Sequence, residues 1–214
     1  MLTFYYHPLS PIARRVWLAL LEKEIPFTPV IVDLRGEQNK SEFLALNPFH
    51  HVPVIVDDGL RLIESLAILD YLEYAYPSIV LAPQSARELG KMRMVQMVTV
   101  NELMPKLLQV ANTEIVPLTE KLRTELDTVL QFLEVQLEKD LYFGGSKLNL
   151  ADIVVGATVP LFSRLGISLA LYPSLEKWQK NLFTREAWRK SEPNQDDFVN
   201  WKRYIQIMIK RYQR

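Results

Sequence analysis

The chain has 214 residues, of which 49% are hydrophobic and 23% are charged. This length and composition suit a globular protein of one large domain or two modest ones. Lysine plus arginine equals aspartate plus glutamate, at 25 each, so the chain lacks the basic excess typical of nucleic-acid binding. The absence of cysteine excludes disulfides, thiolate metal sites and an enzyme cysteine as nucleophile or redox group.

The N-terminus and the apolar segments predict a location. Residues 1–8 lack the basic stretch and the apolar run of a secretory signal. No apolar run approaches the length of a membrane span. We therefore expect a cytoplasmic protein that does not enter a membrane.

Strand and helix signals alternate over the first part of the chain. Strands are predicted at residues 2–6, 27–32, 54–56 and 60–62, and helices at 11–23, at 41–46 and from residue 65. The order β-α-β-α-β-β-α favours a parallel pair of strands and a closing antiparallel hairpin, with its turn at Asp58-Gly59. Within the first helix, the predicted buried face consists of Ile12, Val16, Ala19 and Leu20.

Only helices are predicted after a proline-containing linker at residues 76–83. They cover residues 86–111, 118–141, 150–165, 174–183 and 196–212. Asn149, followed three residues later by Asp152, predicts a capping box at the start of one of them. We thus expect an α/β domain at residues 1–78 and an all-α domain at residues 86–214.

The last helix is strongly amphipathic. A basic face opposes its apolar stripe, which favours a helix docked on the helical domain over a lid or a membrane-surface helix. The stripe contains Phe198, Trp201, Ile205, Met208, Ile209 and Tyr212, and the basic face contains Lys202, Arg203, Lys210 and Arg211.

Ser10 follows the first strand and precedes Pro11, which is the pattern of a helix N-cap. Capping alone would explain this serine. The same position would also let its hydroxyl donate a hydrogen bond to a ligand thiolate beside the positive end of the helix. Arg14 and Arg15, one turn further on, are either solvated surface arginines or a source of additional positive potential.

Two further segments suit a peptide-like ligand. Val52-Pro53 enters a strand, and a cis bond there would present the Val52 N–H and C=O to an extended peptide. Ser65 could simply begin the next helix. Alternatively, its hydroxyl and the first helical N–H groups would hold a carboxylate while Glu64 holds an ammonium group, as at the end of an amino acid.

The histidines do not predict a metal site. His50 and His51 are neighbours, and on an extended segment their side chains would point in opposite directions. Only His7 is left as a further histidine, so we expect no metal. One of the pair, with Gln38 and Lys40, could instead meet a second ligand carboxylate, although a solvated loop is an equally good reading for Lys40.

These residues together resemble the cytosolic glutathione transferase family over essentially the whole chain. Residues 4–16 are similar to the serine-type classes (delta, theta and phi), and residues 47–53 and Glu64-Ser65 are similar to the family's glutathione-binding segments. Residues 149–152 and 172–178 resemble segments of its helical domain. The resemblance implies a thioredoxin-like N-terminal domain, an all-α C-terminal domain and a homodimer.

The resemblance also implies an activity and a site. Glutathione is the co-substrate, no other cofactor is needed, and the reaction is conjugation to hydrophobic electrophiles in detoxification. Ser10 would stabilise the thiolate, although Tyr5, Tyr6 or an arginine could take that role. Glutathione would be bound by Gln38, Lys40, His50, Val52, Pro53, Glu64 and Ser65. Electrophile contacts are expected at Leu9, Met97, Asn101, Met104, Trp201 and Tyr204.

Two alternatives stay open at this point. A non-catalytic ligand-binding or partner-binding protein could use the same fold, and glutathione-dependent peroxide reduction could accompany conjugation. The family usually has arginine or asparagine after the Glu-Ser pair, whereas this chain has Leu66 and so lacks a polar contact there.

Overall fold

A computed structural model describes residues 1–112, 118–138 and 140–212, together with all their side chains except those of 208 and 210–212. These residues form two compact units, Met1–Leu81 and Ala82–Arg214. The predicted linker is partly held by the first unit, because Leu81 is buried and its N–H donates to Glu73 Oε1 at 2.9 Å.

The first unit contains four strands, three α-helices and a short 3₁₀ helix. They are β1 (Thr3–Tyr6), α1 (Pro11–Glu22), β2 (Thr28–Ile31), the 3₁₀ helix (Glu37–Asn39), α2 (Ser41–Leu44), β3 (Val54–Asp57), β4 (Leu60–Ile63) and α3 (Ser65–Ala75). The strand order is β2-β1-β3-β4. β1 runs parallel to β2, and β3 is antiparallel to both β1 and β4, as the element order predicted.

The hairpin turn between β3 and β4 has the backbone that its sequence requires. Asp58 and Gly59 have φ values of +46° and +86°. Two consecutive positive φ angles match the twist of a two-residue hairpin, and aspartate followed by glycine tolerates them well. The register that follows pairs Val54 with Ile63 across the two strands.

Helix α1 packs against α3 with a face that differs from the prediction at one position. Val16 and Leu20 are buried as expected, but Ile12 is 40% exposed and Ala13 replaces it in the core. Ala13 and Ile12 stand three and four positions before Val16, so helical spacing places both near its face and does not by itself decide which one is buried.

A buried ion pair joins the ends of the same two helices. Lys23 Nζ lies 2.8 Å from Glu73 Oε2, and Lys23 also donates to the Ile79 carbonyl. Because the other carboxylate oxygen of Glu73 accepts from the Leu81 N–H, both charged groups are satisfied inside the unit. Buried ions are tolerated in this way when they are paired and hydrogen-bonded.

The described part of the second unit is built from helices. They are α4 (Ala86–Val98), α5 (Met104–Asn112), α6 (Glu120–Leu137), α7 (Leu150–Gly156), α8 (Val159–Arg164), α9 (Pro173–Leu182), α10 (Glu186–Ser191) and α11 (Gln195–Tyr212). A π-helical segment, Thr99–Leu103, joins α4 to α5 where a single α-helix was predicted. α10 was not predicted at all, since its six residues are too few for a clear periodicity.

The helix predicted at residues 150–165 is wrong, because the structure divides it into α7 and α8. Gly156 ends α7 in a tight site: a Cβ there would lie 2.8 Å from Leu182 Cδ1 and 3.0 Å from Trp188 Nε1. Pro160, in the first turn of α8, then begins a new helix, where its missing N–H costs nothing.

The capping box at α7 is confirmed. The Asn149 side chain accepts from the N–H groups of Ala151 and Asp152, and Asp152 Oδ2 accepts from the Asn149 N–H at 2.8 Å. Asp152 Oδ1 accepts further bonds from the Phe143 N–H at 3.0 Å and from Trp178 Nε1 at 2.8 Å. This carboxyl group is fully buried, so burial raises its pKa to about 7.

The last helix docks within the second unit, as its amphipathic pattern favoured. α11 packs against α5, and the exposed fractions of Phe198 and Trp201 are only 6% and 3%. The predicted contributions of the side chains at positions 208 and 210–212 fall outside the described part of the structure. None of the helices in the described ranges has both the length and the apolar composition needed to cross a membrane.

Candidate active site

Three strand ends and one strand start meet at one edge of the sheet in the first unit. Tyr6, at the end of β1, is level with Ile31 at the end of β2, because these strands are parallel. Val54, at the start of β3, is paired with Tyr5 on one side and with Ile63, at the end of β4, on the other. We call this end of the sheet the site edge. The segments that follow β1, β2 and β4 and the segment that precedes β3 all begin or end there.

The predicted glutathione contacts and Ser10 lie in the segments that adjoin the site edge. Residues that are up to 55 positions apart in the sequence therefore lie in segments at the same end of a small sheet. Those residues are Ser10 after β1, Gln38 and Lys40 after β2, His50, Val52 and Pro53 before β3, and Glu64 and Ser65 after β4.

Ser10 is the N-cap of α1, with Pro11 in the first turn. Its Oγ accepts a hydrogen bond from the Ala13 N–H at 3.2 Å, and the side chain is half-buried. A hydroxyl group has one hydrogen to donate and two positions at which it accepts. Accepting the capping bond therefore leaves the Ser10 O–H hydrogen available to a ligand.

Arg14 and Arg15 are not solvated surface arginines, so that reading is wrong. Each is only 2% exposed, although both are ionisable and lie in the second turn of α1. Arg15 Nη1 donates to Ser65 Oγ at 3.3 Å, which links α1 to the start of α3. Burial lowers the pKa of Arg15 to about 10, because desolvation disfavours the charged form.

The Val52-Pro53 peptide bond is cis, an isomer that the sequence left undecided. The Val52 N–H and C=O make no hydrogen bond to any of the described residues. Asn47 fixes the loop that leads to this bond: its Nδ2 donates to the His51 carbonyl at 2.7 Å, and its Oδ1 accepts from the Phe49 N–H at 3.0 Å. Two unpaired backbone groups beside an ordered loop are suited to pairing with an extended peptide.

Glu64 and Ser65 lie at the junction between β4 and α3. Glu64 is exposed and has a φ of +67°, which is uncommon outside glycine. It is the N-cap residue of α3, yet its side chain makes no capping hydrogen bond, so the first N–H groups of the helix lack a side-chain partner. Ser65 is buried and accepts the Arg15 bond.

The three candidates for a second ligand carboxylate lie in two segments: the 3₁₀ helix with Lys40 directly after it, and the loop before the cis bond. His50 Nδ1 is 2.9 Å from Asn39 Oδ1, and this contact joins the two segments. Gln38 is held locally, with its Nε2 donating to the Leu34 carbonyl at 2.7 Å, whereas the Lys40 side chain is exposed. His50 has a φ of +61°, so the histidine pair does not lie on the extended segment that the sequence suggested.

The tyrosines offered as alternatives to Ser10 are on β1. Tyr6 is 7% exposed and stacks on Phe4 with a centroid distance of 4.7 Å, and its ring also contacts Trp17. Burial raises the pKa of Tyr6. Its ring is therefore part of the core of the first unit, while Tyr5 is half-buried.

The predicted electrophile contacts occur in both units. Leu9, in the first unit, is half-buried and adjoins Ser10. In the second unit, Asn101 is exposed and lies on the π-helical segment, which is a geometry often found at functional positions. Met97 is exposed, Met104 and Trp201 are buried, and Tyr204 is half-buried. Trp201 stacks on Phe198 with a centroid distance of 5.6 Å, so its ring takes part in internal packing.

The contacts made by two residues that adjoin the site edge were not predicted from the sequence. Asn47 holds the loop before the cis bond, and the Asn-Pro pattern was its only signal. Arg15 reaches Ser65 from inside the unit. Nothing in a sequence distinguishes a buried arginine from a surface one, because either can occur beside other charged residues on a helix.

Comparison with known proteins agrees with the fold. Residues 4–83 match the family described as glutathione S-transferase, N-terminal domain, and residues 99–186 match glutathione S-transferase, C-terminal domain. The chain is 31% identical to glutathione S-transferase F10 of Arabidopsis thaliana, over 88% of this chain and 95% of that protein. It is 30% identical to maleylacetoacetate isomerase of Rattus norvegicus, over 88% of this chain and 91% of that protein.

A similar solved structure is a delta-class glutathione transferase of Nilaparvata lugens, with a TM-score of 0.83 and 25% identity. The match covers 97% of this chain and 100% of that one. The fold is therefore that of a two-unit protein whose first unit is thioredoxin-like and whose second unit is helical. The chain belongs to the glutathione S-transferase family.

Proposed function

We propose that this protein conjugates the thiolate of glutathione to hydrophobic electrophiles, with Ser10 as the residue that stabilises the thiolate. The chain belongs to the glutathione transferase family, whose members are enzymes. The observation that carries the proposal is the site edge, where a hydroxyl hydrogen available to a ligand, backbone groups without a described partner and a helix start without a side-chain cap lie in segments that flank the same end of the sheet.

Stabilising the thiolate requires a modest amount of free energy. A thiol with a pKa of about 8.5 is only a few per cent ionised at neutral pH, and lowering that pKa by about two units needs about 2.7 kcal/mol. One charge-assisted hydrogen bond from Ser10 and the positive end of α1 are together of that size. The buried charge of Arg15 adds to the positive potential at this end of the unit.

The tripeptide has a natural orientation at the site edge. Its cysteinyl residue pairs with the Val52 N–H and C=O and lies against Pro53. Glu64 binds the γ-glutamyl ammonium group, and Ser65 with the first N–H groups of α3 binds the carboxylate beside it. The glycyl carboxylate is bound by Gln38, Lys40 and His50, of which the Lys40 side chain is exposed to solvent.

The chemistry needs no further cofactor. The thiolate sulfur forms a bond to an electrophilic carbon and either displaces a leaving group such as halide or adds to an unsaturated carbonyl compound. The protein contributes the lowered thiol pKa and the proximity of the two reactants. Leu9, Met97, Asn101, Met104, Trp201 and Tyr204 remain the predicted electrophile contacts. A cytoplasmic homodimer is the assembly we propose.

Calorimetry with glutathione, followed by a conjugation assay with a chlorinated nitrobenzene, tests this function. We expect binding in the micromolar to millimolar range and turnover that saturates with glutathione. Ser65→Ala should weaken glutathione binding by about tenfold, as loss of a hydrogen bond to a charged group does. Binding without turnover would favour the non-catalytic alternative, and absence of binding would contradict the function.

A further inference from the structure

The Arg15 guanidinium is a buried cation whose hydrogen-bonding capacity is only partly used. The residue is 2% exposed, and Nη1 donates to Ser65 Oγ at 3.3 Å. Its Nε and Nη2 are buried with no hydrogen-bond partner. No carboxylate among the described residues lies within ion-pair distance of it. Buried arginines normally have such a partner, so this one lacks its counter-charge.

The contact with Ser65 determines where that hydroxyl can point. An oxygen that accepts from the Arg15 N–H must direct its own hydrogen away from the guanidinium group, because the O–H and N–H hydrogens would otherwise point at each other and repel. Ser65 is the first residue of the eleven-residue helix α3, whose first N–H groups have no side-chain cap. The next residue, Leu66, offers no polar atom of its own. An anion at this helix start would thus meet the Ser65 hydrogen, the helical N–H groups and a cation just behind them.

We propose that Arg15 is a positioning residue that makes the start of α3 selective for a carboxylate, the one beside the amino group of the γ-glutamyl residue. This inference rests on the proposed function. It assigns to a buried side chain the counter-charge that Leu66 cannot supply. The lowered pKa of Arg15, about 10, is consistent with a cation that awaits a negative partner.

Two tripeptides that differ by one carboxylate test the inference. Glutathione and 4-aminobutyryl-cysteinylglycine, which lacks only the γ-glutamyl α-carboxylate, are titrated into the wild-type protein by calorimetry. We expect the wild type to prefer glutathione by at least about 20-fold, as expected for a charge-assisted site. In Arg15→Met, a variant of similar apolar volume, we expect this ratio to fall below about threefold, with the affinity for the decarboxylated peptide within about twofold of wild type.

Arg14→Met is the matched control. Arg14 is the adjacent residue of the same helix and is also 2% exposed, so its loss removes an equally buried charge. We expect Arg14→Met to retain the ratio of the two affinities. Arg15→Lys, which keeps a charge without the planar group, should show an intermediate ratio. Thermal melting of each variant identifies those that remain folded.

The outcomes separate the inference from the function on which it rests. A wild type that binds both tripeptides equally well overturns the role of Arg15 and leaves glutathione binding intact. Equal losses for both tripeptides in Arg15→Met, or a collapsed ratio in Arg14→Met, also overturn it. A wild type that binds neither tripeptide contradicts the proposed function itself. If no Arg15 variant folds, the test is the side-chain NMR signal of Arg15 in the wild type, which should move with glutathione and not with the decarboxylated peptide.

Discussion

Ser10 combines a structural and a chemical role in one hydroxyl group. As the N-cap of α1 it accepts from the Ala13 N–H, and its hydrogen is still free to donate. The two roles can be separated by substitution, because an N-cap needs only an acceptor whereas a thiolate needs a donor.

We predict that Ser10→Asp keeps the fold and loses the reaction. Aspartate caps helices as well as serine does, so the free energy of unfolding should change by less than about 0.5 kcal/mol. Its carboxylate would repel the thiolate and raise the thiol pKa, and kcat should fall at least about 100-fold. Ser10→Ala, the control, should lose both turnover and about 1 kcal/mol of stability. Wild-type turnover in Ser10→Asp would remove Ser10 from the mechanism.

Asp152 gives a pH dependence whose sign follows from its environment. Its folded-state pKa is about 7 because of burial, against an ordinary value of 3.8. Below about pH 4 the carboxyl is protonated in both states. Between about pH 4 and pH 7 the unfolded chain releases the proton and the folded protein retains it, so the stability that Asp152 contributes falls as pH rises.

We therefore expect the stability difference between wild type and Asp152→Asn to decrease from pH 4 to pH 7. The decrease should exceed about 1 kcal/mol, since each unit of pKa difference corresponds to about 1.4 kcal/mol. Urea unfolding at several pH values measures it. A difference that stays constant or grows with pH would mean that the carboxylate is ionised in the fold, held by its three N–H donors.

At the scale of elements, one helix start is capped by a neighbouring helix rather than by its own sequence. Glu134, on α6, accepts from the N–H groups of Ser174 and Leu175 at 2.9 and 2.8 Å. N–H groups in the first turn of a helix have no partner within that helix, so Glu134 satisfies two donors of α9 that its own backbone leaves open. The carboxylate also interacts favourably with the positive end of α9.

We predict that Glu134→Ala lowers the free energy of unfolding by about 2 kcal/mol, the loss expected for two hydrogen bonds to a charged group. Glu176→Ala is the matched control. Its carboxylate forms an exposed pair with Lys180, four residues further along α9, and such pairs contribute at most about 0.5 kcal/mol. Equal losses in the two variants, measured by urea unfolding, would show that Glu134 does not act as a cap.

Periodicity and turn residues predicted most of the elements. They failed where a helix is buried on all sides, because no pattern of polar and apolar residues then marks where it begins and ends. Strand alternation and the Asp58-Gly59 turn gave the sheet of the first unit correctly. Every residue from Leu150 to Val159 is buried, so this stretch has no exposed polar face that would mark a helical period. The break in the helix after Gly156 therefore could not be predicted. The close approach of Trp188 to Gly156, where the first of the two helices ends, joins distant parts of the sequence and leaves no local pattern.

Sequence patterns pointed to some residues of the candidate site and not to others. Local signals indicated Ser10, Val52-Pro53 and Glu64-Ser65, because each lies at a strand or helix end with its own sequence pattern. The burial of Arg15 and its contact with Ser65, 50 residues away, were not predictable. A tertiary contact between two helices leaves no local pattern.

At the scale of the whole molecule, the proposed assembly is a dimer. We expect sedimentation equilibrium to give about twice the chain mass of 24.9 kDa at micromolar concentration. Family membership is the basis for this expectation. A species with the mass of one chain, still active in conjugation, would contradict the dimer and leave the site unaffected.

The ionisation of bound glutathione tests the central claim most directly. Ultraviolet absorbance of the thiolate, followed against pH in the saturated complex, gives the pKa of the bound thiol. We predict a value about two units below that of free glutathione in the wild type, and a value near that of the free peptide in Ser10→Ala. An unchanged thiol pKa in the wild-type complex, or the same lowered pKa in Ser10→Ala, would contradict the account.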